Sequence, residues 1–494
     1  MKENMFMLHL VILMMICNNL ATSSEVDKFT KKKEPKIIVV GAGSSGIAAA
    51  SKLFENGFKN VTILEAESHY DISDTKDTRI IQYFIALPVC FVSLGNYSVD
   101  LGGQWVKGEE GNAVFKLAQP LDLIDKSDEP DYGLVQEYID SLGNPLSEEV
   151  VKNISDFSSN YIYETDFFNG SVFDERFSNI PEVFLEKKKY LQYLELFTIS
   201  FSSADSWRDV SLFNNDRFRV FPGDHIINWK DDGYSKVFDL LTKRFPNPEE
   251  ELPVLNNTIL NSEVTKIDYS KNNTESPISI NTFNGISYQA DHVIVTVSLG
   301  VLKNQYETLF NPLLPEYKQK AIKGLGFGNI AKIYLLFDEP FWNLGNRRVL
   351  HLSFVWNEEQ RKELENDSEK MWLLGMIGAI TVHHRPKVLE IFVAGKYAKA
   401  MEALAEDKVF NHTVENLHRF LDKKYNVTTP IAFLRTQWFT NPHFRGAYSY
   451  RSVETHRQRI YADLLEEALG ERNIVRTFLK DIILILNHHV QLCM

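Results

Sequence analysis

Ile37-Ile38-Val39-Val40-Gly41-Ala42-Gly43-Ser44-Ser45-Gly46 is an apolar strand running straight into a glycine-rich turn. From Ile47 to Asn56 the pattern becomes helical, with alanines at 48, 49 and 50, then Leu53 and Phe54, and Gly57 as a C-terminal stop. Val61-Thr62-Ile63-Leu64 reads as a second strand ending in Glu65. This is a complete β-α-β unit carrying Gly-x-Gly-x-x-Gly at the strand-to-helix turn. Gly41 permits the tight turn, Gly43 the close approach of a diphosphate, and Gly46 the packing of helix on strand. The backbone at Ala42 and Ser45 belongs to the same cradle, where the helix N-terminus offers positive potential to phosphate. Glu65 is placed to accept from ribose hydroxyls, which disfavours a 2'-phosphate and leaves FAD and NAD open.

Working outward, 494 residues suffice for two domains with substantial cores, and 44% hydrophobic with 24% charged residues is ordinary globular composition. A net charge of -13 argues against a nucleic-acid partner, whose phosphates would be repelled. It suits a cationic ligand, or simply solubility. No period of 20–50 residues recurs. A meandering stretch rich in aromatics and acids runs from Asn112 to about Glu251. Strand signals then return at Val264–Tyr269, at Ile278–Phe283 and Ile286–Gln289 around an Asn284-Gly285 turn, and at His292–Val297. Pro315–Leu325 reads as helix, Lys332–Phe337 as strand, Lys396–Tyr425 as helical, and Ala462–Leu469 as a charged helix.

At the N-terminus, Lys2 precedes an apolar run from Met5 to Cys17 and then Ala21-Thr22-Ser23, which reads as a signal peptide over 1–23. The run is too short to span a bilayer. Asn-x-Ser/Thr sequons begin at Asn60, Asn96, Asn153, Asn169, Asn256, Asn272, Asn366, Asn411 and Asn426, so N-glycans and a secreted, extracellular protein are expected. Removing the leader leaves Cys90 and Cys493, which imply neither a disulfide framework nor a metal site.

Asp100-Leu101-Gly102-Gly103-Gln104-Trp105-Val106-Lys107-Gly108 resembles the flavin-contacting loop of polyamine and spermine oxidases. Asp291 to Leu302, Gly326-Phe327-Gly328 through Lys332-Ile333-Tyr334, Phe341-Trp342 and Gly446-Ala447-Tyr448-Ser449-Tyr450 resemble the same family in the same order. The resemblance runs from about Lys36 to Leu469 and points to the flavin monoamine oxidase superfamily, polyamine oxidases in particular. It implies a two-domain α/β flavoprotein: a Rossmann-like FAD domain from 36–112, 253–303 and 430–476, interleaved with an α+β substrate domain from 113–252 and 304–429. It makes Lys332 the lysine that holds a water near the flavin, and Val264 the backbone contact to adenine. Trp438 becomes an aromatic flanking the flavin, and Gly102, Gly103, Gln104 and Trp105 further flavin contacts. Asp205, Asp209 and Tyr450 fall where the family receives the substrate. The chemistry implied is oxidation of polyamines or N-acetylated polyamines by FAD and O2 to aldehyde, amine and hydrogen peroxide.

Three features depart from that pattern. Glu67-Ser68-His69-Tyr70-Asp71-Ile72 replaces the family's Arg-x-Gly-Gly-Arg loop, and Ile85–Val92 is foreign to it. A diphosphate would thereby lose a contact worth roughly 1.5–3 kcal/mol. Position 107, a second catalytic candidate, is Lys where animal relatives carry His, and a fixed charge there would repel a polyamine. The resemblance fades near Asn473, so that 477–494 is an atypical tail with no Gly-Glu pair. These departures set beside the oxidase an inactive, truncated or mis-spliced product that keeps the fold but binds flavin poorly, and Glu65, which leaves NAD open, adds an NAD-dependent dehydrogenase.

Overall fold

The computed structural model describes residues 34–68, 91–125, 134–158, 188–211, 221–224, 226–230, 233–270, 278–343, 348–460, 462–466, 469 and 475–477. The chain divides into two units, Met1–Glu34 and Pro35–Met494, and the second carries every strand and helix described. The proposed leader, Cys90, the segment 69–90 and the tail from 478 lie outside the described residues.

The opening β-α-β unit forms as its pattern demands. Strand β1 (Ile37–Val40) is buried along its whole length, helix α1 (Ser44–Glu55) follows, and strand β2 (Val61–Leu64) lies parallel to β1. The helix begins three residues earlier than the apolar pattern indicates, because Gly43 already serves as its N-cap. The parallel sheet has the order 475–477, 292–295, β1, β2, 258–259. Successive connections leave β1 in opposite directions, so a crevice opens at its C-terminal end, where Gly41 stands.

Gly41 has φ +100, and a Cβ on Gly46 would sit 1.9 Å from the Gly41 carbonyl oxygen. Only glycines allow the helix this close to the strand. Thr296, following strand His292–Val295, donates through Oγ1 to the Val40 carbonyl and ties the neighbouring strand to the same turn.

A six-stranded sheet has the order 432–435, 330–336, 388–394, 376–381, 348–355, 134–140. Ile333, Leu335, Ile391 and Val393 face one side of it, in a core with Trp342 and Trp372. Lys332, Tyr334, Glu390 and Phe392 alternate with them and face the other side. The Asn284-Gly285 turn joins 278–282 to 287–290 as the sequence indicates.

Other elements differ from expectation. The 396–425 stretch is two helices, Gly395–Glu402 and Glu406–Leu421, and the last charged helix is limited to Asp463–Glu466. The meandering middle contains a 15-residue helix, Lys188–Ser202. Phe91 and Val92, the end of the foreign run, form the first strand of a hairpin with Tyr97–Asp100, and Val92 is buried in the same core as β1. Val114, Ile124, Trp229 and Phe238 share that core, so apolar packing continues across the boundary expected at 112/113.

The Gly41–Gly46 contact makes a direct prediction. Gly46→Ala should lose about 1–3 kcal/mol to overpacking. Gly57→Ala, where a Cβ meets nothing within 4 Å, should lose only about 1 kcal/mol to its positive φ. Urea denaturation of both variants checks the order.

Candidate active site

A continuous cavity of about 1940 Å3, counted to its open mouth, starts at the β1–α1 turn. Gly41, Gly43, Ser44, Ser45 and Glu65 line one end, followed by Ser262, Glu263 and Val264. Helix α1 has no side-chain cap, and the Ser44 hydroxyl is buried with no partner. The first-turn donors therefore face the cavity, which suits a phosphate.

Glu65 is fastened from both sides: the Ala42 N–H donates to Oε2 at 2.6 Å and the Glu67 N–H to Oε1 at 2.9 Å. Burial pushes its carboxyl above the usual carboxylate range, against the pull of these two donors. Two members of the expected cradle thus act indirectly. Ala42 spends its N–H on Glu65, and Gly46 packs against Gly41; neither is among the lining residues.

His443 lines the same wall and was not legible in the sequence. Its Nδ1 is 2.9 Å from Glu67 Oε1, which also accepts from Asn441. The hydrogen bond to Glu67 raises its pKa above the ordinary histidine value. A basic ring therefore stands on the wall although the expected arginine loop is missing.

At the other end Leu101, Gly102, Lys332, Phe392 and Trp438 line the cavity. Trp438 is buried and meets Phe444 edge to face at 5.3 Å. Lys332 is 6% exposed. Its ammonium donates to Gln104 Oε1 at 2.8 Å and to the Asp100 carbonyl at 3.0 Å, pairs with Glu390 Oε1 at 3.0 Å, and lies 3.2 Å from the Tyr334 hydroxyl. Gln104 thus reaches the site through Lys332. Gly103 is not among the lining residues, and Trp105 is turned to Asn228 Oδ1 at 2.9 Å.

Lys107 is placed differently from the sequence expectation. It is 3% exposed, its Nζ lies over the Trp105 ring at 5.9 Å, and it is not among the residues lining the cavity. Residues alternate sides along the strand Trp105–Val106, which packs on Ile227–Trp229. The objection that a charge at 107 would repel a polyamine loses its footing.

Asp205, Asp209 and Tyr450 come together. Burial, and then the charges of Asp209 and Asp205, raise the Tyr450 phenol pKa, and burial followed by Asp205 raises the Asp209 carboxyl. Lys399 already holds Asp205 Oδ2 at 2.7 Å, while Asp205 Oδ1 is buried without a partner. Tyr448 and Ser449, preceding Tyr450 on its strand, line the cavity, as does Ser200 from the helix Lys188–Ser202. The sequence signal missed for that helix was Tyr193, Phe197 and Phe201 at four-residue spacing, the first two stacked and the last two edge to face.

The residues present fit FAD. Gly41, Gly43, Ser44 and Ser45 would hold the diphosphate, Glu65 the ribose and Val264 the adenine, with Gly102 and Trp438 beside the ring system. The described site is complete enough that a fold kept without its cofactor is not favoured.

Comparison with known proteins agrees. The sequence profile of the flavin containing amine oxidoreductases matches residues 89–475. The chain is 27% identical to the peroxisomal N(1)-acetyl-spermine/spermidine oxidase of Bos taurus, over 85% of this chain and 84% of that protein. It is 28% identical to Protein anon-37Cs of Drosophila simulans, over 89% and 85%. Among solved structures, cyclohexylamine oxidase from Brevibacterium oxydans superposes with TM-score 0.62 at 15% identity, covering 93% of this chain and 96% of that one. Putrescine oxidase superposes with TM-score 0.58 at 17% identity, covering 92% and 96%. Both show the fold.

Asp100 supplies a pH prediction. Crowding around its carboxyl removes water and pushes its pKa up to about 7, against the Tyr234 N–H and the charges of Lys332 and Arg385. A carboxyl raised on folding contributes stability at low pH that is lost as pH rises through its folded pKa. Asp100→Asn, which still accepts from Tyr234, should raise the unfolding temperature over the parent more at about pH 8 than at about pH 5, because the loss builds up between the ordinary carboxyl pKa and the folded value of about 7. Thermal denaturation at the two pH values checks this; equal gains at both would contradict it.

Proposed function

The chain belongs to the flavin containing amine oxidoreductases, and we propose that it is an FAD-dependent oxidase of polyamines or N-acetylated polyamines. The observation that carries this reading is Lys332: a buried ammonium on the wall of a cavity whose other end is a nucleotide cradle. Gly41, Gly43, Ser44, Ser45 and Glu65 would hold FAD, which would supply a two-electron acceptor for the hydride on the carbon beside the amine nitrogen, with O2 as the final oxidant yielding hydrogen peroxide. Water adds to the imine left behind, and its C–N bond breaks to release an aldehyde and a shorter amine.

The protein's share is binding and environment. Phe392, Trp438, Phe327 and Phe444 give the cavity largely apolar walls, which favour an amine that has lost its proton. The carboxylates of Asp205 and Asp209, beside the strand that lines the cavity, suit a second, still charged nitrogen such as a polyamine carries. The names of the relatives support the same substrate class. Location is read from this chain alone, since the bovine relative is named peroxisomal. The leader-like N-terminus supports secretion. So do the sequon asparagines: Asn60, Asn96, Asn256, Asn366, Asn411 and Asn426 are exposed and Asn153 is half-buried.

The purified protein should be yellow, and its flavin absorbance should bleach without oxygen on addition of spermine or N-acetylspermine. Lys332→Met should slow that bleaching about 10²-fold with flavin still bound. A coloured protein that no amine bleaches would contradict the activity. Expressed in animal cells, the protein should collect in the medium and lose apparent mass on treatment with peptide N-glycosidase. Retention inside the cell with no change in mass would overturn the secreted reading.

A further inference from the structure

We propose that Glu390 is a positioning residue that anchors the Lys332 ammonium and cancels its charge towards an incoming cationic amine. The inference rests on the amine oxidase reading and extends it to a residue that no motif marks. Glu390 lies on the strand Val388–Ala394, antiparallel to Ile330–Leu336, with Tyr334 directly opposite it and Phe392 opposite Lys332. Lys332 and Glu390 are therefore diagonal neighbours on one face of the sheet, within reach of long side chains.

Glu390 is fully buried. Its Oε1 accepts from the Tyr334 hydroxyl at 2.7 Å and pairs with Lys332 Nζ at 3.0 Å, while Oε2 is buried with no partner. A buried carboxylate persists only where a cation compensates it. Among the described residues, Lys332 is the sole ion-pair partner of Glu390.

An ammonium has three N–H donors. Gln104 Oε1, the Asp100 carbonyl and the Tyr334 hydroxyl accept them, while Glu390 Oε1 stands beside the ammonium as its ion-pair partner at 3.0 Å. The three acceptors are neutral, so the paired negative charge comes from Glu390. Without it, the cavity wall beside Phe392 would present a cation that has lost its ion-pair partner to a substrate that is itself cationic, in surroundings where charges are weakly screened. With it, Lys332 is a local dipole fixed by register and hydrogen bonds.

The test is Glu390→Gln, which keeps the size and an acceptor, made alone and together with Lys332→Met in the FAD-loaded protein. Alone, it should raise the amine concentration giving half-maximal bleaching about tenfold, the scale of coupling between groups in contact. It should also move the flavin midpoint potential, titrated with dithionite, to a more positive value. In the Lys332→Met background neither quantity should change, because the charge it balances is gone. An unchanged potential in the single variant, or the same shift in both backgrounds, would overturn the proposal. Should Glu390→Gln misfold, Lys332→Leu with Glu390→Leu, which removes both charges together, should fold; failure of that pair as well would assign Glu390 a purely structural part. If no amine bleaches the parent protein, the oxidase reading fails, yet the potentials still decide whether Glu390 balances Lys332.

Discussion

The site depends first on the absence of two side chains. Where a Cβ on Gly46 would stand, the Gly41 carbonyl oxygen already lies 1.9 Å away. That contact seats α1 on β1 and aims its first-turn donors across the end of the parallel sheet. Other contacts build on it. Ala42 is brought to donate to Glu65, Glu65 is thereby fixed at the end of β2, and Thr296 clamps the adjacent strand to the same turn. The nucleotide end of the cavity is a product of backbone proximity, with few side chains involved. This is why it survives in a chain whose neighbouring loop departs from the family pattern.

The reactive end depends on a different device, strand register. From Ile330 to Leu336 the strand pairs with Val388–Ala394 without a shift, so odd and even positions separate cleanly between an apolar core and a polar network. A slip of one residue would put Ile391 opposite Tyr334 and send Glu390 into the core around Trp342 and Trp372. The core thus enforces the register, and the register assembles Lys332, Tyr334 and Glu390. Stability and chemistry are read from opposite faces of the same two strands.

These two devices explain what the sequence revealed. The glycine turn and Glu65 are local, within thirty residues, and their physical meaning is attached to residue type; they were legible. Lys332, Val264 and Trp438 were placed by resemblance, and all three line the cavity. Glu390 and His443 were invisible because their importance comes from pairing across long separations, 56 residues from Tyr334 and 376 from Glu67. Lys107 misled for a related reason: its neighbours in sequence belong to the site, but its side chain is packed at Trp105 away from the lining residues. The helix Lys188–Ser202 was hidden by aromatic composition, which favours strands as readily as helices.

The distribution of charge separates holding an amine from making it react. Burial and then the Asp205 charge raise the cost of ionising Asp209, so a cation placed beside Asp209 relieves repulsion as well as gaining attraction. Neither acid is among the residues lining the main cavity, whose walls around Lys332 are aromatic and where Lys332 with Glu390 sums to no net charge. On the proposed reading, an ammonium is favoured beside the acids and disfavoured beside Phe392 and Trp438, where the nitrogen must be neutral for a hydride to leave the adjacent carbon. A substrate with two nitrogens at a suitable spacing satisfies both environments at once, whereas a simple monoamine satisfies one. On that reading the arrangement selects for length between charges.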